Sequence, residues 1–145
     1  MKFELILNKE ASESVVATVR ERTELIDKIE SMVMAHDKSD RIPAYTEDGM
    51  RILKFSEIDC ITVIESRTIA IDSRGRRYRL RYRLHELEQM VPSSFIRINK
   101  SSIANENRIK EFTQAFSGAV DVVFRCGYRE YVSRRCFSAI KRRYQ

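Results

Sequence analysis

The sequence predicts a mainly β fold with short helices, a stacked-sheet domain behind a β-β-α extension, and three observations carry that reading. From about residue 42 apolar residues recur with period two in many short runs, as in IPAY, CITVIES and TIAIDS. Turn signals, TEDG, SRG, SG and CG, separate those runs. Helical periodicity is confined to three short stretches. At 145 residues, 43% of them hydrophobic and with only two Pro and four Gly, the chain can close a genuine core without needing a second large domain.

In chain order, KFELILN (2–8) sets Phe3, Leu5 and Leu7 on one side, and SVVATVR (14–20) is rich in β-branched residues, so both are expected as strands. Thr23 offers an N-cap, Glu24 and Asp27 suit a first turn, and Leu25, Ile26, Ile29, Met32 and Val33 repeat at helical spacing, predicting a helix over 24–35. The polar AHDKSDR that follows has no period and marks a linker, dividing an extension (1–40) from a larger domain (41–145). Strands are then expected at IPAY, MRILKF, CITVIES, TIAIDS, RRYRLRY, FIRI, EFTQAF, AVDVVFR and REYVS. LHELEQM (84–90) reads as a short helix with Leu84, Leu87 and Met90 inward, stopped by Pro92. Ser133 caps a closing helix, RRCFSAIKRRY, whose stripe is Phe137, Ile140 and Tyr144.

Charge is unevenly placed. Residues 1–66 hold 9 Lys and Arg against 14 Asp and Glu (−5), and residues 67–145 hold 18 against 7 (+11), together the +6 of the chain. A basic portion on an otherwise acidic chain attracts a polyanion, and counterion release makes nucleic acid the commonest one. Catalysis has little to work with. Cys60, Cys126 and Cys136 form neither a CxxC pair nor a zinc framework and are read as reduced, His36 and His85 stand far apart, and no glycine loop suits a phosphate. No enzyme, metal, cofactor or small-molecule substrate is expected. The apolar run in MKFELILNKE is too short for a signal peptide and no run approaches the ~20 residues of a membrane span, so a cytoplasmic protein is expected.

Three clusters bear on binding. In RGRRYRLRYRL (74–84) six of eleven residues are arginine, and Arg77, Arg79, Arg81 and Arg83 alternate with Tyr78, Leu80, Tyr82 and Leu84. Such a strand packs its apolar side inward; its guanidinium side fits a solvated face, a phosphate backbone or an acidic subunit surface. The alternating tyrosines also raise base stacking on RNA, but they share the buried side. In FIRINKSSIANENRI (95–109) a strand breaks into Lys100, Ser101 and Ser102, donors suited to phosphate and base edges. In REYVSRRCF a serine cap is followed by Arg134 and Arg135, cations at the helix end that the dipole reserves for anions.

Taken together, FIRINKSSIAN, RI at 108–109, VSRR at 132–135 and the opening ITVIESRTIAIDSRGRRYRLRYRLHEL resemble the LytTR family of bacterial DNA-binding domains over about residues 41–145. The resemblance implies an elongated fold of stacked β-sheets that inserts loops into successive major grooves of direct-repeat targets. It puts base contacts at Lys100, at Arg134 and, in the loop after IES, at Arg67, in a loop shorter here than in some members. Lys100 departs from the usual arginine or asparagine and Ser102 from a position often aromatic. Arg97, Ser101, Thr68, Arg135, Arg77 and Arg79 are then expected at phosphates. Direct repeats imply a homodimer on double-stranded DNA, and small members of the family are often encoded beside a membrane protein that restrains them; Leu25, Ile26, Ile29 and Met32 offer a dimer or docking surface. The competing class is an interaction module without sequence-specific readout.

Overall fold

The computed structural model describes residues 1–12, 14–36 and 40–144. It forms two units, Met1–Asp37 and Lys38–Gln145, each taken by itself below. Residues 37–39 of the expected linker lie outside the described residues.

In the first unit α1 spans Glu24–His36. Thr23 Oγ1 accepts the Ile26 N–H at 3.4 Å, Glu24 and Lys28 pair at i,i+4, and Arg22 pairs with Asp27 (2.7 Å) and with Glu30. The expected strands at 2–8 and 14–20 do not form: among the described residues neither joins a ladder, although a turn at Asn8–Ala11 lies between them. Alternation sets which side chains face one way, but a strand also needs a partner for its backbone groups, and Phe3 and Leu7 (each 87% exposed) have no sheet to cover them. Ile26, Ile29 and Val33 line a shallow cleft with Val15 and Ala17, while Leu25 and Met32 are exposed.

The described residues of the second unit form ten strands. They are β1 (Arg41–Thr46), β2 (Gly49–Lys54), β3 (Ile58–Ile64), β4 (Arg67–Asp72), β5 (Arg77–Leu80), β6 (Phe95–Asn99), β7 (Ser102–Asn105), β8 (Ile109–Gln114), β9 (Val120–Phe124) and β10 (Arg129–Val132). Helix α2 (Leu84–Met90) precedes β6 and α3 (Arg134–Arg143) ends the unit. The first seven strands make one antiparallel sheet in the order β2-β1-β5-β4-β3-β7-β6, and the last three a second, β10-β9-β8. The sequence missed β7, which it read as a polar loop running into Ile103.

The larger sheet has a core on each face. Ile61 lies opposite Ala70 and Ile103, and Ala70 opposite Tyr78, so these share one face; with Ile42, Ala44, Leu53 and Leu80 they pack against Leu84 and Leu87 of α2. Phe55 meets Phe95 edge to face, centroids 5.8 Å apart, in the same cluster. Leu87 is wholly buried there, so truncation to alanine would cost about 2–5 kcal/mol. On the opposite face Cys60, Ala104 and Ile98 meet Val120, Val122 and Phe124 of β9, Val132 of β10 and Ile140 of α3. Strands β3 and β7 are thus covered on both sides, which is why β7 shows no alternation to read.

Two details adjust the expected elements. Tyr144 is 70% exposed and does not extend the α3 stripe; its hydroxyl donates to Glu106 at 2.8 Å, and that bond raises the phenol above its ordinary pKa. Strand β5 ends at Leu80, so Tyr82 is only half-buried and Leu84 opens α2, where Glu86 takes the Arg83 N–H at 3.2 Å.

Candidate nucleic-acid interface

The two-residue turn Lys100–Ser101 joins β6 to β7, and its bracing starts with a bulge. Register passes from Arg97 opposite Ile103 to Asn99 opposite Ser102, leaving Ile98 as the extra residue on β6. The freed Ile98 carbonyl accepts the N–H of Ser133, 2.9 Å away, just before α3. Asn99 is 7% exposed and uses both ends of its amide: Nδ2 donates to the Tyr131 carbonyl at 2.6 Å, and Oδ1 accepts the Ser101 N–H at 2.7 Å. Val63 N–H donates to the Ser101 carbonyl at 3.0 Å, tying the turn to the end of β3. Arg97 pairs with Glu88 of α2 and donates from Nη2 to the Lys100 carbonyl at 2.9 Å. With its backbone held from three sides, Lys100 leaves its ammonium exposed.

Around the turn lies a cleft of about 910 Å³ lined by Lys100, Ser101, Arg97, Ser133 and Arg135 together with the β10 end at Tyr131. Ser133 caps α3, its Oγ accepting the Cys136 N–H at 3.2 Å, so Arg134 and Arg135 leave the first helical turn as exposed cations. The cleft wall also holds Glu130, whose carboxylate is already committed: it accepts the Tyr128 hydroxyl at 2.6 Å and Thr62 at 3.3 Å. Burial first, then that bond, push the Tyr128 phenol well above its ordinary pKa, so it stays a donor. Thr62 and Ser102 share a further hydrogen bond of 2.6 Å, which satisfies the polar residue buried at the start of β7.

Arg67 and Thr68 begin β4 after the tight turn Glu65–Ser66, whose φ angles of 50° and 65° are both left-handed. Arg67 is exposed and Thr68 half-buried, and neither lines the cleft; Thr68 stands opposite Val63, the residue hydrogen-bonded to the Lys100 turn. Arg77 and Arg79 stand on β5 opposite Ile71 and Ile69, exposed and outside the cleft. Among the described residues no carboxylate pairs with Arg74, Arg76, Arg77, Arg79 or Arg83, whereas Arg81 covers the Tyr45 ring at 4.0 Å and Arg51 donates to the Tyr78 hydroxyl at 3.2 Å. The structure therefore gathers Lys100, Ser101, Arg97 and Arg135 about one cleft, with Arg134 beside it in sequence.

Sequence reasoning overlooked Asn99 and the Ile98 carbonyl. The signal for Asn99 was an asparagine at the end of an apolar strand before a polar pair, a position from which its side chain takes a backbone N–H two residues on. By sequence Asp59 reads as an isolated carboxylate; in the structure it is wholly buried on β3 and accepts Arg108 Nε at 2.7 Å and the Cys126 N–H at 3.1 Å. All three cysteines are free, and burial raises the thiol pKa of Cys60 strongly and of Cys126 more modestly, away from the thiolate form. No described helix is long and apolar enough to cross a membrane.

The geometry agrees with known proteins. A structure of the LytTr DNA-binding domain of a putative methyl-accepting/DNA response regulator from Bacillus cereus matches with a TM-score of 0.65 and 25% identity, covering 72% of this chain and 95% of that one. Proteins from Staphylococcus aureus strains NCTC 8325 and MRSA252, each named an uncharacterized HTH-type transcriptional regulator, are 30% identical over 146 residues, 99% of this chain and 97% of theirs. In this chain strands separate α1, α2 and α3 from one another, so the described residues pair no two helices as a helix-turn-helix. The LytTr DNA-binding domain family matches residues 48–145, about two-thirds of the sequence, and the chain belongs to that family.

Proposed function

We propose that the protein is a transcriptional regulator that binds direct repeats in double-stranded DNA and reads them with loops placed in the major groove. The observation that carries this is the exposed Lys100 on a braced turn, sharing one cleft with the basic first turn of α3. A rigid frame presenting exposed cations suits base reading, because the backbone that carries them loses little ordering entropy on binding. The name of the staphylococcal relatives supports the regulatory half of the reading.

In this mechanism Lys100, Arg134 and Arg67 reach base edges, while Ser101, Thr68, Arg135, Arg77 and Arg79 hold phosphates and set the register. Arg97 reaches a phosphate only by giving up Glu88, so its share in phosphate binding is the smallest. As a point donor, Lys100 tolerates more base-acceptor geometries than a guanidinium fork would. Residues 1–40 form an extension, and the exposed Leu25 and Met32 on α1, with Ile26 and Ile29 beside them, serve a second copy on the repeat or a membrane-bound antagonist.

The test is a polarisation titration of the full chain against a repeat-containing duplex and a scrambled one, each at two salt concentrations. Tighter binding to the repeat is expected, and Lys100→Ala should lose about 1–3 kcal/mol on it with little change on the scrambled duplex. Equal affinity for both duplexes would return the reading to an interaction module. Light scattering with and without the repeat checks stoichiometry, and a strict monomer in both rejects the dimer.

A further inference from the structure

We infer that Asn99 is a positioning residue that locks the Lys100 turn and the start of α3 into one reading unit, so that the base preferences of Lys100 and Arg134 are coupled. The inference rests on the reading of those two side chains as base contacts.

The two elements are distant in sequence and meet through two bonds from neighbouring residues of β6. One is the Ile98 carbonyl, released from the ladder by the bulge, on the Ser133 N–H at 2.9 Å. The other is the Asn99 amide on the Tyr131 carbonyl at 2.6 Å. Lys100 is the next residue after Asn99, and Arg134 the next after Ser133. Any slip of β10 and α3 against β6 would therefore move one reading side chain relative to the other. Displacements of about 1 Å are enough to spoil a base contact.

The chemistry requires a primary amide. A single buried group must donate toward Tyr131 and accept from Ser101, and the amide has one flip state that does both. A carboxylate of the same shape keeps the acceptor for Ser101 but turns a second oxygen against the Tyr131 carbonyl. Asn99→Asp thus severs the link to β10 while leaving the turn's own hydrogen bond in place. Protonation converts that carboxylate into a donor, so lowering the pH should restore the link in this variant alone, burial raising the carboxyl pKa against the Ser101 N–H and the cations Arg97, Lys100 and Arg135 around the cleft.

The experiment uses the full chain. A duplex is first selected by the wild-type protein from a random pool, and single base-pair changes in it are then titrated with wild type, Lys100→Ala, Arg134→Ala, their double variant and Asn99→Asp. Asn99→Asp should discriminate about tenfold less than wild type at both reading positions at about pH 7.5 and recover toward wild type at about pH 5.5. The Lys100→Ala and Arg134→Ala losses should multiply to well above or below the loss of the double variant. If neither single variant alters preference at any position, the base-reading assignment falls and the coupling with it. If both alter preference but Asn99→Asp discriminates as wild type does, only the positioning role is overturned. Should Asn99→Asp fail to fold, strictly multiplicative losses in the double variant overturn the coupling and non-multiplicative ones support it.

Discussion

The buried carboxylate of Asp59 joins the two sheets: from β3 of the larger one it accepts Arg108 Nε at 2.7 Å, next to the first residue of β8, and the Cys126 N–H at 3.1 Å in the β9–β10 turn. Asp59 is 0% exposed and the Arg108 side chain 27%, so water screens the pair only from one side. Both interactions end at the smaller sheet.

Replacing Asp59 should therefore loosen the smaller sheet. Asp59→Ala leaves a cation and a backbone donor without partners and is expected to cost about 3 kcal/mol, the low end for a broken buried pair because Arg108 keeps access to water. Urea denaturation followed by circular dichroism reads this as a lowered midpoint; an unchanged midpoint would mean that water takes the carboxylate's place without loss.

The arginines of β5 can be separated from the reading cleft by salt. Arg77→Ala with Arg79→Ala should leave the preference for repeat over scrambled duplex intact, lower the affinity for both, and flatten the log–log salt slope by ~1 for each phosphate that is no longer neutralised. A slope identical to wild type between about 50 and 200 mM salt would make these side chains a solvated face instead.

Tyr128 gives the stability a defined alkaline dependence. Its folded pKa is raised, by burial and then by Glu130, above the unfolded value of about 10. Below that unfolded value both states hold the proton and the contribution is complete; above it the unfolded chain ionises first, so stability falls as pH rises toward the folded pKa. Tyr128→Phe should lower the denaturation midpoint at about pH 8 and show a shallower decline than wild type above about pH 10. Parallel pH profiles for the two proteins would contradict the sign.

The turn before Arg67 holds Glu65 and Ser66 at φ 50° and 65°, a left-handed pair without glycine. A left-handed non-glycine residue costs roughly 1–2 kcal/mol, part of which glycine's greater unfolded entropy offsets, so Ser66→Gly should stabilise by about 0.5–1 kcal/mol. A differential scan should show a higher Tm; a lower one would mean that the Ser66 side chain makes up the difference.

Much of this was open to a reader of the sequence, and the exceptions have physical reasons. Strands with one wet face, such as Arg77–Leu80, announce themselves by alternation, and the glycine at 127, with φ 96°, marked its hairpin. Ser102–Asn105 could not, because a strand buried on both faces has no polar side, and its one hydroxyl is satisfied by Thr62 from forty residues away. Phe3, Leu5 and Leu7 had the strand pattern and no partner. At the site, Lys100 and the two arginines opening α3 were visible by type and by resemblance. Arg97 looked as free as they did, and only the structure reveals its guanidinium engaged with Glu88 and the Lys100 carbonyl. The partnership of Asn99 with Tyr131 spans thirty-two residues, beyond the reach of any local pattern.

Covering β3 and β7 from both sides has a consequence for how the domain breathes. Fraying of α2 bares one face of these strands, and only lifting of the smaller sheet together with α3 bares the other, yet neither event alone hands their amides to solvent. Deuterium should enter β2 and the far end of α3 within the earliest exposures and reach Ile61, Ile103 and Ala104 only when the whole domain comes apart.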